Sequence, residues 1–286
     1  MDMETKKNET PAESPELILS NPPHIRSEQS VRSIMWMVVL SLTPAAVYSV
    51  FLFGLNALLM MVIAVAAAVL SEALYQFLMK KPIAVTDGSA VTTGLLLAMN
   101  IPPDAPLWIA GIGSAFAVII AKQLFGGLGF NIFNPALAGR AFLLASWPVY
   151  MTTKWHKFTP TNSLSQDITN LAGLPDKAFD AITAATPLGA LKEVPKLLGD
   201  LNVAPESLYK LIFSEKMLKS LFMGNIGGCI GETSALLLLI GALFLLYKRI
   251  ITWHIPVSYI GTVALIMLAY YSFARIPGAE NISHFT

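Results

Sequence analysis

The sequence predicts an all-α polytopic membrane protein with one hydrophilic insert, and three observations point to this fold class. Hydrophobic residues make up 55% of the 286-residue chain and charged residues only 13%, about half the share of a soluble domain. Apolar runs long enough to cross a bilayer recur along the chain. The charges are segregated: 15 of the 37 lie within residues 149–220, whereas residues 33–79 contain only Glu72.

The same composition excludes several classes of function. A net charge of +1 provides no basic surface for a nucleic acid. One cysteine cannot form an intrachain disulfide or hold an iron–sulfur cluster by itself. The four histidines form no motif with metal-ligand spacing, so no metal site is predicted. A chain this apolar is not intrinsically disordered.

Seven segments have the character of membrane helices or half-helices. They comprise residues 34–54, 57–79, 88–101, 106–124, 130–148, 232–247 and 251–273. The third segment is short and the fifth contains polar residues. Both are therefore expected to be broken helices, which are tolerated in a membrane against protein or a cavity and mark ion or cofactor sites in transporter-like folds with inverted repeats. Plain loops between ordinary helices are the alternative.

Cations in the connections predict the orientation of these spans. They follow every second span, as Lys80 and Lys81, then Lys122, then Lys248 and Arg249. The intervening turns at 54–56 and 102–105 contain no cation, and Arg275 is the one exception to the pattern. This predicts a cytoplasmic N-terminal tail (1–32), a membrane part (33–148), an extracytoplasmic insert (149–222) and a second membrane part (223–286).

The insert contains a threonine with two compatible interpretations. Thr186 precedes Pro187, a pair typical of the N-cap and first residue of a helix. A helix N-terminus also suits a phosphate esterified to the Thr186 hydroxyl, because free N–H groups and the positive end of the helix dipole face it. The small side chains of Ala184 and Ala185 leave room for a bulky group there.

Four charged residues within or beside the spans are candidates for an ion path: Glu72, Asp87, Arg140 and Glu232. An unpaired charge in the bilayer centre costs about 2.5–3.5 kcal/mol, so such residues usually have a partner or a function. Position near a helix end is the alternative explanation. Under that alternative, Glu72 reaches the membrane interface, Asp87 caps the half-helix and Glu232 starts the sixth span. Backbone carbonyls of broken helices can equally hold an ion.

Four motifs in this order carry a family resemblance: PHIRS at 23–27, TDGSAVTTG at 86–94, FNIFNPALAGRA at 130–141 and GNIGGCIGETS at 224–234. From about Pro23 onward, the chain resembles the RnfD/NqrB family, and RnfD is the nearer of the two types. RnfD is a membrane component of the Rnf complex, an Na⁺- or H⁺-pumping ferredoxin–NAD oxidoreductase, and NqrB belongs to the Na⁺-translocating NADH:quinone reductase. The resemblance implies a pair of inverted five-helix repeats with ten spans. About seven spans are present here, so the second repeat is expected to be incomplete.

The resemblance also implies that FMN is joined through its phosphate to Thr186. The family motif has the form Asp-x-x-Ser/Thr-Gly-Ala-Thr. Asp180, Thr183 and Ala185 match it, whereas Ala184 stands where glycine is usual. The implied role is an electron relay, because a flavin links one-electron and two-electron carriers. The chain would then be one subunit of a translocating oxidoreductase and not catalytic alone. Members of the family also hold non-covalent riboflavin, for which no local motif is visible here.

The implied partners are the other Rnf subunits, among them a second FMN-carrying subunit and iron–sulfur membrane subunits, together with a flavin transferase for maturation. The implied location is the cytoplasmic membrane of a bacterium or archaeon. Two alternatives stand beside this one: the quinone-reductase subunit and a non-redox secondary transporter. A tail of only 32 residues favours Rnf, because the quinone-reductase subunits usually have a longer one.

Overall fold

The computed structural model describes residues 30–152, 219, 222–224, 228–232 and 234–274. Within these ranges the chain is helical and contains no strand, which confirms the predicted fold class. The helices are α1 (Val31–Phe53), α2 (Leu55–Leu78), α3 (Ser89–Met99), α4 (Leu107–Val118), α5 (Pro135–Ser146), α6 (Pro148–Thr152), α7 (Ala235–Tyr247) and α8 (His254–Ala274). A 3₁₀ turn (Val85–Asp87) precedes α3, and a π-helical turn (Ile119–Gln123) continues α4.

The outer faces of the long helices are apolar. By length and composition, α1 and α2 can each cross a membrane. Six large apolar side chains on α2 are more than half exposed: Leu55, Val62, Leu70, Leu74, Phe77 and Leu78. A contiguous apolar surface of this kind is rare on a soluble monomer and indicates contact with lipid or with another protein.

Helix α3 lies in the middle of the described bundle and contacts α1, α2, α4 and α5. Its contact with α2 depends on a small residue. A Cβ atom on Gly94 would lie 2.8 Å from both the Ala64 carbonyl oxygen and the Val65 Cα atom, so the two backbones touch. Ala64 and Ala68 on α2 are fully buried. Small residues therefore allow α3 to lie against α2 at backbone distance.

The predicted short third segment is confirmed, and its ends have identifiable causes. Helix α3 begins after Gly88, whose φ of +79° is a left-handed conformation that glycine adopts without strain. It ends at Met99, shortly before the consecutive prolines at 102 and 103. Eleven residues span only about 16 Å at about 1.5 Å each, whereas the hydrocarbon core is about 30 Å thick.

The predicted break before the fifth segment is also present. Gly126, Gly127 and Gly129 all have positive φ values, so the FGGLG run turns the chain where other residues would be strained. Helix α5 then follows Asn134, whose side-chain oxygen accepts a hydrogen bond from the Ala136 amide at 3.0 Å. The fifth segment is therefore a 12-residue helix preceded by a turn.

Residues 228–232 pack against the C-terminal end of α3. The Gly231 amide donates to the Met99 carbonyl at 2.7 Å, and the Ile230 amide donates to the Ile101 carbonyl at 3.1 Å. The first of these bonds satisfies a carbonyl that the end of α3 leaves free. Only glycine fits at 231, because a Cβ there would lie 2.7 Å from the Met99 Cβ atom.

Candidate functional site: two polar clusters at the ends of the half-helix

A buried ion pair lies beside the N-terminal end of α3. The Lys122 Nζ atom is 2.7 Å from the Glu72 Oε1 atom, and each residue is only 1% exposed. The two residues are 50 positions apart in sequence, and the π turn that continues α4 presents the lysine to α2. Because an unpaired charge is unfavourable in an apolar interior, each of these side chains requires the other.

Further hydrogen bonds extend this pair into a network, here called the Glu72 cluster: Glu72, Gln76, Ser89, Lys122 and Gln123. The Glu72 Oε1 atom also accepts from the Gln123 amide at 2.6 Å and from the Gln76 amide at 3.4 Å. The Lys122 ammonium donates a second bond to the Ser89 hydroxyl at 2.6 Å. The Glu72 Oε2 atom is buried and has no hydrogen-bond partner in the described part of the chain.

Asp87 is attached to the edge of the cluster through Ser89. Its Oδ1 atom accepts from the Ser89 hydroxyl at 2.5 Å and from the Ser89 amide at 2.8 Å. It therefore satisfies a free amide at the start of α3, as the capping alternative predicted. The same hydroxyl accepts from Lys122, so one serine connects Asp87 to the buried ion pair.

The π turn explains how two neighbouring residues reach one carboxylate oxygen. The Leu124 amide donates to the Ile119 carbonyl at 3.0 Å, which is the i to i+5 bond of a π-helix. This wider turn places Lys122 and Gln123 together against Glu72. Single π turns are rare within α-helices and are frequent at functional sites.

A second network, here called the Arg140 cluster, lies at the C-terminal end of α3: Asn100, Arg140, Cys229 and Glu232. Arg140 donates through Nη1 to the Asn100 side-chain oxygen at 2.7 Å, and its Nη2 atom lies 3.9 Å from the Cys229 sulfur. The Glu232 carboxylate accepts from the Cys229 amide at 3.1 Å. Cys229 is buried.

The structure thus gathers the four ion-path candidates into two clusters, one at each end of α3. Glu72 does not reach the membrane interface as the alternative proposed, because it is buried against Lys122. Glu232 does not start the sixth span. That helix, α7, begins at Ala235, and the Ser234 side chain caps it by accepting from the Leu237 amide at 3.4 Å.

Sequence reasoning missed the most important residue of the Glu72 cluster. It counted Lys122 among the cations that follow the spans on the cytoplasmic side, whereas the structure buries this side chain in the π turn that continues α4. The remaining cations of that pattern, from Lys80 to Arg249, are exposed. One signal was available: Gln76 lies one helical turn after Glu72, which places two polar side chains on the same face of an apolar helix.

The residues proposed to hold FMN, Asp180, Thr183, Ala185 and Thr186, lie outside the described residues. Where the chain is described, no group of three His, Cys, Asp or Glu side chains is arranged to hold a metal ion.

A helical bundle with an apolar exterior, a half-helix and charged clusters at both ends of that half-helix is typical of integral membrane proteins. Comparison with known proteins is more specific. The family described as NQR2, RnfD, RnfE matches residues 18–285. The chain belongs to this family.

Three relatives illustrate the match. The D subunit of the proton-translocating ferredoxin:NAD(+) oxidoreductase complex of Clostridium ljungdahlii is 46% identical over 268 residues, covering 93% of this chain and 73% of that protein. The D subunit of the Na(+)-translocating complex of Acetobacterium woodii is 45% identical over 270 residues, covering 94% and 72%. The D subunit of the ion-translocating oxidoreductase complex of Rhodobacter capsulatus is 37% identical over 246 residues, covering 84% and 66%.

Proposed function

We propose that this chain is the D subunit of an ion-translocating ferredoxin:NAD oxidoreductase in the cytoplasmic membrane, and that it couples electron flow to the movement of Na⁺ or H⁺. The observation that carries the proposal is the Glu72 cluster, a buried set of charges within apolar helices of a chain whose relatives are named as D subunits of such complexes. Intramembrane ionisable residues of this kind mark ion pathways in other membrane proteins.

The described charges support ion coupling better than a purely structural role. One carboxylate and one ammonium already satisfy each other at 2.7 Å, yet the cluster also contains two amides, a hydroxyl and an unpartnered carboxylate oxygen. A pair needed only for packing would usually be replaceable by apolar residues without loss of stability. The cluster contains more buried polar groups than the ion pair requires, and this surplus favours a functional site.

The cofactor part of the proposal rests on sequence. Thr186 would hold FMN through a phosphoester of its hydroxyl, with the insert on the outer side of the membrane. Asp180 and Thr183 would mark the site for the flavin transferase, and Ala184 would lie beside the attached group. Bound FMN would supply the exchange between one-electron and two-electron carriers. A non-covalent riboflavin is a further cofactor that the family resemblance implies.

The partner subunits that we propose follow from the lack of cluster ligands in this sequence. Cys229, the one cysteine in the sequence, is buried next to Arg140, and a cluster requires several thiolate ligands. Electrons would therefore reach this subunit from iron–sulfur and flavin subunits of the same complex. The proposal includes both ions, because two relatives of nearly equal identity are named as proton-translocating and Na⁺-translocating.

Flavin fluorescence in a denaturing gel tests this proposal. The wild-type chain, co-expressed with a flavin transferase, should give a fluorescent band that Thr186→Ala abolishes. Thr152→Ala is the matched control, because Thr152 is exposed and bonded only to the Pro148 carbonyl among the contacts described here. Absence of fluorescence from the wild-type chain would refute covalent flavin attachment, and an equal signal from Thr186→Ala would refute the assigned residue.

A further inference from the structure

Five exposed cations lie at one end of the helix bundle, and two of them have a backbone conformation that is uncommon for residues with a side chain. We propose that these cations, here called the basic rim, bind the headgroup phosphates of anionic phospholipids. The members of the basic rim are Arg32, Lys80, Lys81, Lys248 and Arg249. This inference goes beyond the proposed function and does not depend on it.

Helices α1 and α2 place three of these cations at one end. The two helices contact each other and are joined by a turn at Gly54. Because the chain reverses direction at that turn, the start of α1 and the end of α2 both lie at the opposite end of the bundle. Arg32 stands at the start of α1, and Lys80 and Lys81 follow shortly after the end of α2.

Helix α7 brings the other two cations to the same end. Residues 228–232, which lead into α7, are bonded to the C-terminal end of α3. The Pro103 carbonyl in the turn that follows α3 accepts a hydrogen bond from Asn56 at the start of α2. Helix α7 therefore begins at the end that contains the turn between α1 and α2, and it packs along α1. Lys248 and Arg249 follow its last turn, so they lie at the same end as the start of α1.

The ends of α2 and α7 have the same unusual geometry. Lys80 has a φ of +52° and Arg249 a φ of +55°, and they are the two non-glycine residues with positive φ in the described part of the chain. Each occupies the left-handed position of a Schellman motif, which is closed by the next amide. The Lys81 amide donates at 2.8 Å to the carbonyl five residues earlier, and the Ile250 amide does so at 3.0 Å. Glycine is the usual residue in that position, because a side chain raises the free energy of the left-handed conformation.

A basic side chain at both strained positions indicates a use outside the helix itself. Cations near the C-terminal end of a helix are also favourable for the helix dipole, but Lys81 and Lys248 serve that purpose without a left-handed backbone. Strained backbone of this kind is concentrated at ligand-binding and other functional sites. We therefore attribute the retention of Lys80 and Arg249 to a ligand of their charged groups.

The charges at this end of the bundle favour an anionic ligand. Among the residues that the structure describes, no carboxylate forms an ion pair with a cation of the basic rim. Asp87, the described acid at this end, already accepts two hydrogen bonds from Ser89. The Lys81 ammonium lies 5.5 Å from the centre of the Tyr75 ring, which leaves its positive charge without compensation by an anion. A surplus of positive charge remains for phosphate groups.

The side chains next to the basic rim favour a lipid over a soluble anion. Phe77 and Leu78, directly before the end of α2, are 71% and 65% exposed, so the lipid-facing surface continues up to Lys80. Trp253 and Tyr247 flank the rim on the other helix pair and are exposed, and such aromatic residues are enriched at the interface between membrane and water. Lys and Arg in this position attract anionic lipid headgroups.

Thermal unfolding of the purified full chain in a neutral detergent tests the basic rim. We add phosphatidylglycerol or phosphatidylcholine to the micelles and record the melting temperature at each lipid concentration. Phosphatidylglycerol should raise the melting temperature of the wild type more than phosphatidylcholine does, because a ligand of the folded state stabilises it. In Lys80→Gly/Arg249→Gly, the phosphatidylglycerol concentration that gives half of this effect should rise about fivefold for each cation removed.

Two matched variants separate the charge from the backbone. Lys80→Arg/Arg249→Lys retains both charges and both left-handed residues, so its response to phosphatidylglycerol should equal that of the wild type. Lys81→Gln/Lys248→Gln leaves the strained positions intact and removes two neighbouring charges, so its half-effect concentration should rise as in the glycine variant. Without lipid, the glycine variant should melt at the wild-type temperature or above it, because glycine adopts a positive φ without strain.

The outcomes decide between a lipid and other ligands. Equal effects of the two lipids on the wild type, or an unchanged half-effect concentration in the glycine variant, would overturn the lipid site. An equal rise in melting temperature with inorganic phosphate would also overturn it, because the ligand would then be a soluble anion. A response to phosphatidylglycerol that falls in both charge-removing variants and persists in Lys80→Arg/Arg249→Lys would support the basic rim.

Discussion

The buried ion pair yields the sharpest prediction about stability. Replacing Glu72 or Lys122 alone by Met leaves the other charge in a position that is 1% exposed, and breaking a buried pair in this way costs about 3–5 kcal/mol. Replacing both removes both charges and their desolvation penalty, a change that is often neutral or stabilising by about 1–4 kcal/mol. We therefore expect the double variant to be more stable than either single variant by at least about 3 kcal/mol.

A double-mutant cycle measures this coupling. Reversible unfolding of the full chain in mixed detergent micelles, in choline chloride without Na⁺, gives the free energy of unfolding of the wild type and the three variants. Lys81→Met serves as the control for loss of an exposed lysine and should change stability by less than about 0.5 kcal/mol. If the two single losses simply add in the double variant, the side chains are not coupled and the reasoning is refuted.

Two further predictions concern the elements that position the clusters. Gly94→Val should destabilise the chain by about 1–3 kcal/mol, because its Cβ would lie 2.8 Å from the Ala64 carbonyl oxygen. Gly261→Val is the control, because a Cβ at that position meets nothing within 4 Å. An equal loss of stability in Gly261→Val would contradict the steric explanation. Asn134→Ala should cost about 1 kcal/mol through loss of the α5 cap, whereas Asn134→Asp retains the accepting oxygen and should unfold at nearly the wild-type denaturant concentration.

Most helices of the first membrane part could be predicted because their signals are local. The α2 segment is a continuous apolar run, and α3 lies between Gly88 and the prolines after Ile101. The glycines at 126, 127 and 129 break the chain where positive φ is required. Each of these effects depends on a few neighbouring residues, so no knowledge of the packing was needed to find them.

The Glu72 cluster could not be predicted in the same way. A lysine after an apolar run is normally an exposed cation of a cytoplasmic connection, whereas Lys122 is buried inside the helix bundle. Its partner is 50 residues away, on α2, and the two residues meet only because α2 and α4 pack against each other in the folded chain. The π turn that places the Lys122 ammonium against Glu72 has no recognisable sequence pattern.

The sequence by itself determined the membrane class, the order of the spans and their breaks, and the threonine on which a flavin is proposed. It determined these because hydropathy, glycine and proline act over short stretches of chain. Only the tertiary structure decided which charges meet. A buried charge in an apolar medium requires a partner. The partner of Glu72 depends on how closely α2, α3 and α4 approach one another. The small residues at 64, 68 and 94 permit this close approach.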